Sequence, residues 1–384
     1  MYFFIIMLKC SLNNIDTTII SFIYDNIKVN YPILSILLEF KSNLNSFLIF
    51  NYLCKKQFLI PTSDIFSISN QKQFEKIALK VFRFQYENNL VYKEFCDFMK
   101  VKVSAVKSLN QIPFLPIQFF KSHSVVSNTN SIQETFTSSG TSGQITSRHC
   151  VTDISIYEES YRKGFAQFYG NIEDYVVLAL LPSYLEREGS SLIYMFKDLI
   201  EKTNHPESGF YLNDYNALTE KLISLDNSGQ NVLLIGVTYA LLDLIEQHKF
   251  QLNNTFIMET GGMKGKRKEM IREELHDQLC KGFGVTAIHS EYGMTELLSQ
   301  AYSLGEGVFE CPSWMQILIR DPEDALTYVN DGKTGGINVI DLANINSCSF
   351  IATQDLGKKN PNNSFEVLGR FDNSDIRGCN LMVL

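Results

Sequence analysis

The sequence predicts an α/β fold, with a large body of parallel βα units followed by a smaller, mostly antiparallel β subdomain. Two patterns predict it. Between residues 175 and 289, short apolar runs alternate with stretches of helical spacing, as in a mainly parallel sheet covered by helices. Beyond Gly305 the chain changes to a series of short β-like runs.

The elements follow in order. Residues 1–61 read as a low-information N-terminal extension: rich in Ile, Asn, Phe, Leu and Lys, without sustained helical or strand period. The main domain is expected over 62–384. Pro61-Thr62-Ser63-Asp64 supplies a break and candidate helix caps. Phe74, Ile77, Ala78, Val81 and Phe82 give helical spacing within 71–99, and Pro113 and Pro116 punctuate a connector. Strands are expected over 176–181, 232–237, 255–258 and 285–288, with helices over 191–200, 240–247 and 268–279. The later β runs cover 315–319, 336–341, 347–352 and 365–368.

Composition excludes several classes. The 384 residues are 45% hydrophobic and 20% charged, as in an ordinary globular protein. A net charge of -8 argues against a nucleic-acid surface. The eight cysteines form no C-x-x-C pair, so the common zinc frameworks are out and a reducing compartment is expected. The apolar start lacks preceding basic residues and a small-residue cleavage site, and no run reaches the ~20 apolar residues of a membrane span. A cytoplasmic protein is expected.

Four segments carry chemistry. Thr137-Ser138-Ser139-Gly140-Thr141-Ser142-Gly143 combines two glycines that let backbone N–H groups converge on an anion with hydroxyls that suit phosphate oxygens. A flexible polar loop is the alternative. It is not a Walker loop, and Gly332-Lys333-Thr334 fails as one because Thr327 replaces the first glycine. Glu291-Tyr292-Gly293-Met294-Thr295-Glu296 follows an expected strand. It offers a tight turn, a flat ring for a purine, a hydroxyl for phosphate and, in Glu296, a magnesium ligand; a strand-to-helix turn capped by Thr295 and Glu296 is the alternative. In Thr353-Gln354-Asp355-Leu356-Gly357, Asp355 could accept from two ribose hydroxyls, although Asp-x-Gly is also ordinary turn chemistry. Gly369-Arg370-Phe371-Asp372 runs on to Arg377 and Gly378 and fits a hinge carrying a cation; surface salt bridges are the alternative.

These blocks, in this order, resemble those of the adenylate-forming superfamily, which includes acyl-CoA synthetases, peptide-synthetase adenylation domains and firefly luciferase. Within it the chain is similar to the LuxE-type acyl-protein synthetases of bacterial fatty-acid reductase systems. Glu259-Thr260-Gly261-Gly262-Met263-Lys264-Gly265-Lys266-Arg267 is similar to that family's glycine-lysine segment, and the chain ends soon after the Gly-Arg-x-Asp block. The resemblance covers about residue 62 to the end. It implies the adenylate-forming large domain without the full mobile C-terminal domain of larger relatives.

The resemblance further implies ATP and Mg2+, with phosphates over 137–143, adenine near Gly261, Gly262 and Tyr292, ribose on Asp355 and metal on Glu296. A fatty or related carboxylic acid becomes acyl-AMP, then a thioester on Cys379, then passes to an acyl reductase, transferase or carrier-protein partner. Arg377 next to Gly378 would lower the thiol's pKa. The larger relatives' catalytic lysine is missing with their C-terminal domain, leaving Lys264, Lys266, Arg370 and Arg377 as candidate replacements by position; the Gly-Lys-Arg cluster reads equally as a solvated helix start. Gln144-Ile145-Thr146-Ser147-Arg148 stands where larger relatives often carry Gly-x-Pro-Lys, so the anion contacts are expected to differ. Two rivals remain: a ligase that uses coenzyme A or a carrier-protein thiol, and a non-catalytic nucleotide- or acyl-binding subunit. His123, His149, His205, His248 and His276 read as structural or exposed, Trp314 as core, and His289 as either an acid-pocket residue or a satisfied strand end. Acid chain length and oligomeric state are not encoded in any motif.

Overall fold

The computed structural model describes residues 60–371 apart from 129, 139–144, 182–187, 213, 262–266 and 268–269. The chain divides into two units between Pro61 and Thr62, and every element described belongs to the second.

Helix α1 (Thr62–Phe66) leads into α2 (Gln71–Asn88) and α3 (Leu90–Phe98). The helical pattern over 71–99 becomes two helices because Asn89 is extended, and its side chain accepts from Tyr92 N at 3.0 Å to cap the second. Then come β1 (Leu115–Pro116), α4 (Phe119–Ser122), β2 (Glu134–Thr137) and β3 (Arg148–Val151). The βα body consists of α5 (Ile154–Tyr169), β4 (Val176–Leu180), α6 (Ser191–Thr203), β5 (Gly209–Phe210), α7 (Tyr215–Asn227), β6 (Val232–Val237), α8 (Thr238–Gln247), β7 (Thr255–Thr260), α9 (Arg272–Phe283) and β8 (His289–Tyr292). Six further strands follow: β9 (Ala301–Ser303), β10 (Val308–Glu310), β11 (Met315–Arg320), β12 (Thr334–Asp341), β13 (Phe350–Lys359) and β14 (Phe365–Arg370).

One sheet runs in the order β5-β4-β6-β7-β8-β9-β10-β14-β13-β12-β11, with β1 beside β13. Pairing is parallel from β5 to β8 and antiparallel from β8 to β11. The antiparallel strands therefore continue the sheet of the βα body edge to edge, and β8 has one parallel and one antiparallel neighbour. Strands β4 and β6 are buried along their whole length, as strands covered on both faces must be, whereas β11 alternates buried and half-buried residues.

Close packing of α8 places this half precisely. A Cβ on Gly236 of β6 would come within 2.6 Å of Leu241 Cδ2, so the missing side chain is what lets α8 lie on the strand. The strand expected over 285–288 begins instead at His289. Gly284 ends α9 in the left-handed conformation, and Val285 N donates back to Cys280 O at 3.1 Å, so these residues serve the helix C-terminus.

Candidate active site

The carboxyl ends of β6, β7 and β8 come together where β8 passes from a parallel to an antiparallel neighbour, and in open α/β folds ligands bind outside the carboxyl ends of the strands. Thr238, Gly261 and the loop after Tyr292 follow these strands, and all line a cleft of about 1850 Å³. The cleft wall gathers residues from all four motifs: Ser138, Gly261, Tyr292, Gly293, Met294, Thr295, Glu296, Asp355 and Arg370. Thr137 is not among the lining residues; its N–H donates to Gly189 O at 2.8 Å. Ser139, Gly140, Thr141, Ser142, Gly143, Gly262, Lys264, Lys266, Arg377 and Cys379 lie outside the described residues.

Tyr292 ends β8 and Asp355 lies within β13, a strand and not a turn. The Tyr292 hydroxyl donates to Asp355 Oδ2 at 2.8 Å, and Arg370 Nε donates to Oδ1 at 3.1 Å. Register places Arg370 opposite Asp355 across β13 and β14. Phe309 and Phe365 meet the Tyr292 ring edge-on, which leaves that ring largely buried at the cleft wall.

No helix follows Glu296, so the capping alternative has nothing to cap; the chain turns and enters β9. Buried groups hold this turn from behind. His149 Nδ1 donates to Thr295 O at 2.8 Å, its Nε2 lies 3.0 Å from Asn344 Oδ1, and Asn344 Nδ2 donates to Glu296 O at 2.7 Å. Burial holds the His149 pKa down to about 4 despite these contacts. Asp341 accepts from Leu298 N, Ser299 N and Ser299 Oγ at 2.7, 3.0 and 2.6 Å. Burial still pushes its carboxyl up to about 6.

The Glu296 side chain is 5% exposed and has no ion-pair partner among the described residues. Burial raises its pKa, against a hydrogen bond from Ser147. A divalent cation would reverse that penalty. A single protein carboxylate suits magnesium, which keeps water and nucleotide oxygens as its other ligands.

Two carboxylates at the end of β7 and β8 are held very differently. Glu259 receives Arg272 Nη1 at 2.6 Å and Thr238 Oγ1 at 3.0 Å, with His276 Nε2 3.8 Å away. Burial would raise its pKa, but His276, Arg272 and Ser290 prevail and hold it at about 2. Glu291 accepts from Thr260 Oγ1 at 2.6 Å and pairs with no cation among the described residues. Burial pushes it up to about 7, with the charge of Glu259 acting in the same direction. A Cβ on Gly293 would fall on Glu291 Oε1, so this glycine is needed for close approach. His289 instead lies 3.1 Å from the Tyr169 hydroxyl and is not among the lining residues.

The model of the family described as "Acyl-protein synthetase, LuxE" matches residues 54–162 and 204–384. The chain belongs to the LuxE acyl-protein synthetase family. A curated relative of this LuxE chain is the long-chain-fatty-acid–luciferin-component ligase of Vibrio harveyi, 24% identical over 342 residues, 83% of this chain and 90% of the relative. Among solved structures, an open form of 2-hydroxyisobutyryl-CoA ligase, in complex with 2-HIB-AMP and CoA, matches with a TM-score of 0.54 at 14% identity. The match covers 79% of this chain and 70% of the ligase. The LuxE chain spans about half the length (49%) of ATP-bound MatB from Rhodopseudomonas palustris, covering 64% of its own length at 15% identity and a TM-score of 0.48. The fold is that of the adenylate-forming enzymes, as expected.

Several residues escaped the motif reading of this LuxE chain. Arg272, Asp341 and Asn344 stand in no local pattern and reach the site only through tertiary packing. Glu259 and Glu291 stand inside two of the motif segments, yet only the strand ends reveal that both carboxyls come to the cleft. Trp314 is core, donating through Nε1 to Ser299 Oγ at 2.9 Å. No helix among the described residues is long and apolar enough to cross a membrane.

Proposed function

We propose that this chain uses magnesium-ATP to convert a long-chain fatty acid to its acyl-AMP, then moves the acyl group to its own Cys379 as a thioester for a partner. The observation that carries the reading is the convergence of four separate motifs, through Ser138, the Tyr292–Glu296 turn, Asp355 and Arg370, on one cleft. Family membership and the relative named as a long-chain-fatty-acid ligase support the substrate class.

In this reading Asp355, fixed by Tyr292 and Arg370, accepts from the ribose. Gly261, Gly262 and Tyr292 border the adenine, and Gly293 and Met294 continue that wall. The 137–143 loop and Thr295 hold phosphate oxygens. Glu296 would hold magnesium, which would supply positive charge beside the phosphates. A carboxylate oxygen of the acid attacks the α-phosphorus and pyrophosphate leaves. The Cys379 thiol then attacks the acyl carbon, losing its proton as a C–S bond replaces the C–O bond, and AMP leaves. Lys264, Lys266, Arg370 and Arg377 are the motif cations assigned to offset charge in the first step. An acyl reductase, transferase or carrier protein then takes the acyl group.

Acid-dependent ATP–pyrophosphate exchange over a panel of fatty acids, run beside labelled-acyl capture, tests the reading. Exchange with long-chain acids and a hydroxylamine-sensitive label on the chain are expected. Exchange without a label, together with acyl transfer to coenzyme A, would favour a coenzyme A ligase; absence of exchange with every acid would remove the enzymatic reading.

A further inference from the structure

Glu291 is a carboxylate in the cleft that the activation step described above does not use. Its surroundings are specific. It lies on β8 beside Thr260 of β7, opposite Tyr302 of β9, and one residue before Tyr292. Among the described residues its hydrogen-bond partner is the Thr260 hydroxyl, at 2.6 Å. Glu259, one strand position away, is neutralised by Arg272, yet no described cation pairs with Glu291. Its second oxygen folds over the space where a side chain on Gly293 would be, at the start of the turn that carries Thr295 and Glu296. Gln300, also on the cleft wall, holds a buried Oε1 without a partner, and the buried Tyr302 hydroxyl opposite Glu291 is likewise without one. Buried polar atoms in that condition call for a ligand or water.

We propose that Glu291 is the general base of the acyl-transfer half-reaction, taking the proton from the acceptor thiol as it attacks the acyl-AMP. The inference rests on the reading given under Proposed function. The balance is simple: the S–H proton passes to a Glu291 oxygen, the sulfur bonds the acyl carbon, the C–O bond to phosphate breaks and AMP departs. A carboxylate paired with an arginine, as Glu259 is, would be too weak a base. Glu291 has only a hydroxyl beside it, faces Glu259, Tyr157 and Tyr302 as its ionisable neighbours, and titrates near the operating pH, where a general base is most effective. During activation the same group has no proton to move, because the acid attacks as its carboxylate.

The test separates the two half-reactions in the full-length chain. Acid-dependent ATP–pyrophosphate exchange reports activation. Chain self-labelling from synthetic acyl-AMP, read as hydroxylamine-sensitive label in a single turnover, reports transfer. In Glu291→Gln, transfer is expected to fall about 100-fold and exchange by a much smaller factor, with residual transfer rising steadily with pH as thiolate forms. Thr260→Val removes the hydrogen bond that favours the carboxylate, so the pH midpoint of transfer should move upward. Equal losses of exchange and transfer in Glu291→Gln, or transfer at the unmodified rate, would overturn the assignment. So would an unmoved midpoint in Thr260→Val. If the unmodified chain shows no exchange, the underlying reading falls and this proposal with it; exchange in the unmodified chain with equal losses in the variant removes only the base.

Discussion

The Tyr292 hydroxyl donates to Asp355 Oδ2 over 2.8 Å, joining two sequence blocks 63 residues apart. The bond joins β8 to β13, strands that are not neighbours in the sheet, and fixes an acceptor at the cleft wall. Tyr292→Phe is expected to cost about 1 kcal/mol of stability and to raise the KM for ATP in the exchange assay more than it lowers kcat. Arg370, the other partner of Asp355, has a side chain 81% exposed. Arg370→Ala should therefore change stability by less than about 1 kcal/mol while still weakening ATP use. Thermal melting and exchange kinetics on the two variants check both statements.

Glu259 depends on Arg272. Removing the guanidinium leaves the buried carboxylate with His276 and the Thr238 hydroxyl but no permanent cation, so Arg272→Ala should destabilise the chain by up to about 3 kcal/mol, and Glu259→Gln in the same chain should recover much of that. The acid limb follows from the pKa of about 2. A carboxyl depressed in the folded state contributes stability above its ordinary value near 4.5 and loses it as pH falls toward 2. Urea midpoints measured from pH 5 to pH 2 should fall less steeply in Glu259→Gln.

The buried histidines act at higher pH. Burial holds both His149 and His289 at about 4, against an ordinary value near 6.5. The unfolded chain therefore takes up protons between pH 6.5 and 4 that the folded chain refuses, so stability falls as pH drops through that window. His149→Gln should flatten the dependence and, because His149 holds the Thr295 carbonyl, raise the magnesium concentration needed for half-maximal exchange. A pH series of unfolding midpoints and a magnesium titration read the two effects separately.

Cys379 has a distinct expected signature. Cys379→Ala should lose covalent acyl label on the chain while acid-dependent exchange persists. Label retained in that variant would place the acyl group on another nucleophile.

Much of the fold was legible because it is written in local pattern. The fully apolar runs of β4 and β6 and the helices between them follow from sequence periodicity alone. The joining of the antiparallel strands onto β8 was not legible, since pairing across β8, β9 and β10 depends on register between segments that carry no common signal. Motif order brought Tyr292, Glu296, Asp355 and Arg370 to one site in advance. The contrast between Glu259 and Glu291 was hidden, because His276, Arg272 and Ser290 surround the first and the Thr260 hydroxyl meets the second, partners that tertiary packing supplies.

Activation of a carboxylic acid as its adenylate is the step that acid-dependent ATP–pyrophosphate exchange measures directly. Label should pass from pyrophosphate into ATP only when a long-chain fatty acid and magnesium are both present, and Asp355→Ala should reduce the rate severely. Exchange that is absent with every acid, or that proceeds equally without any acid, would contradict it.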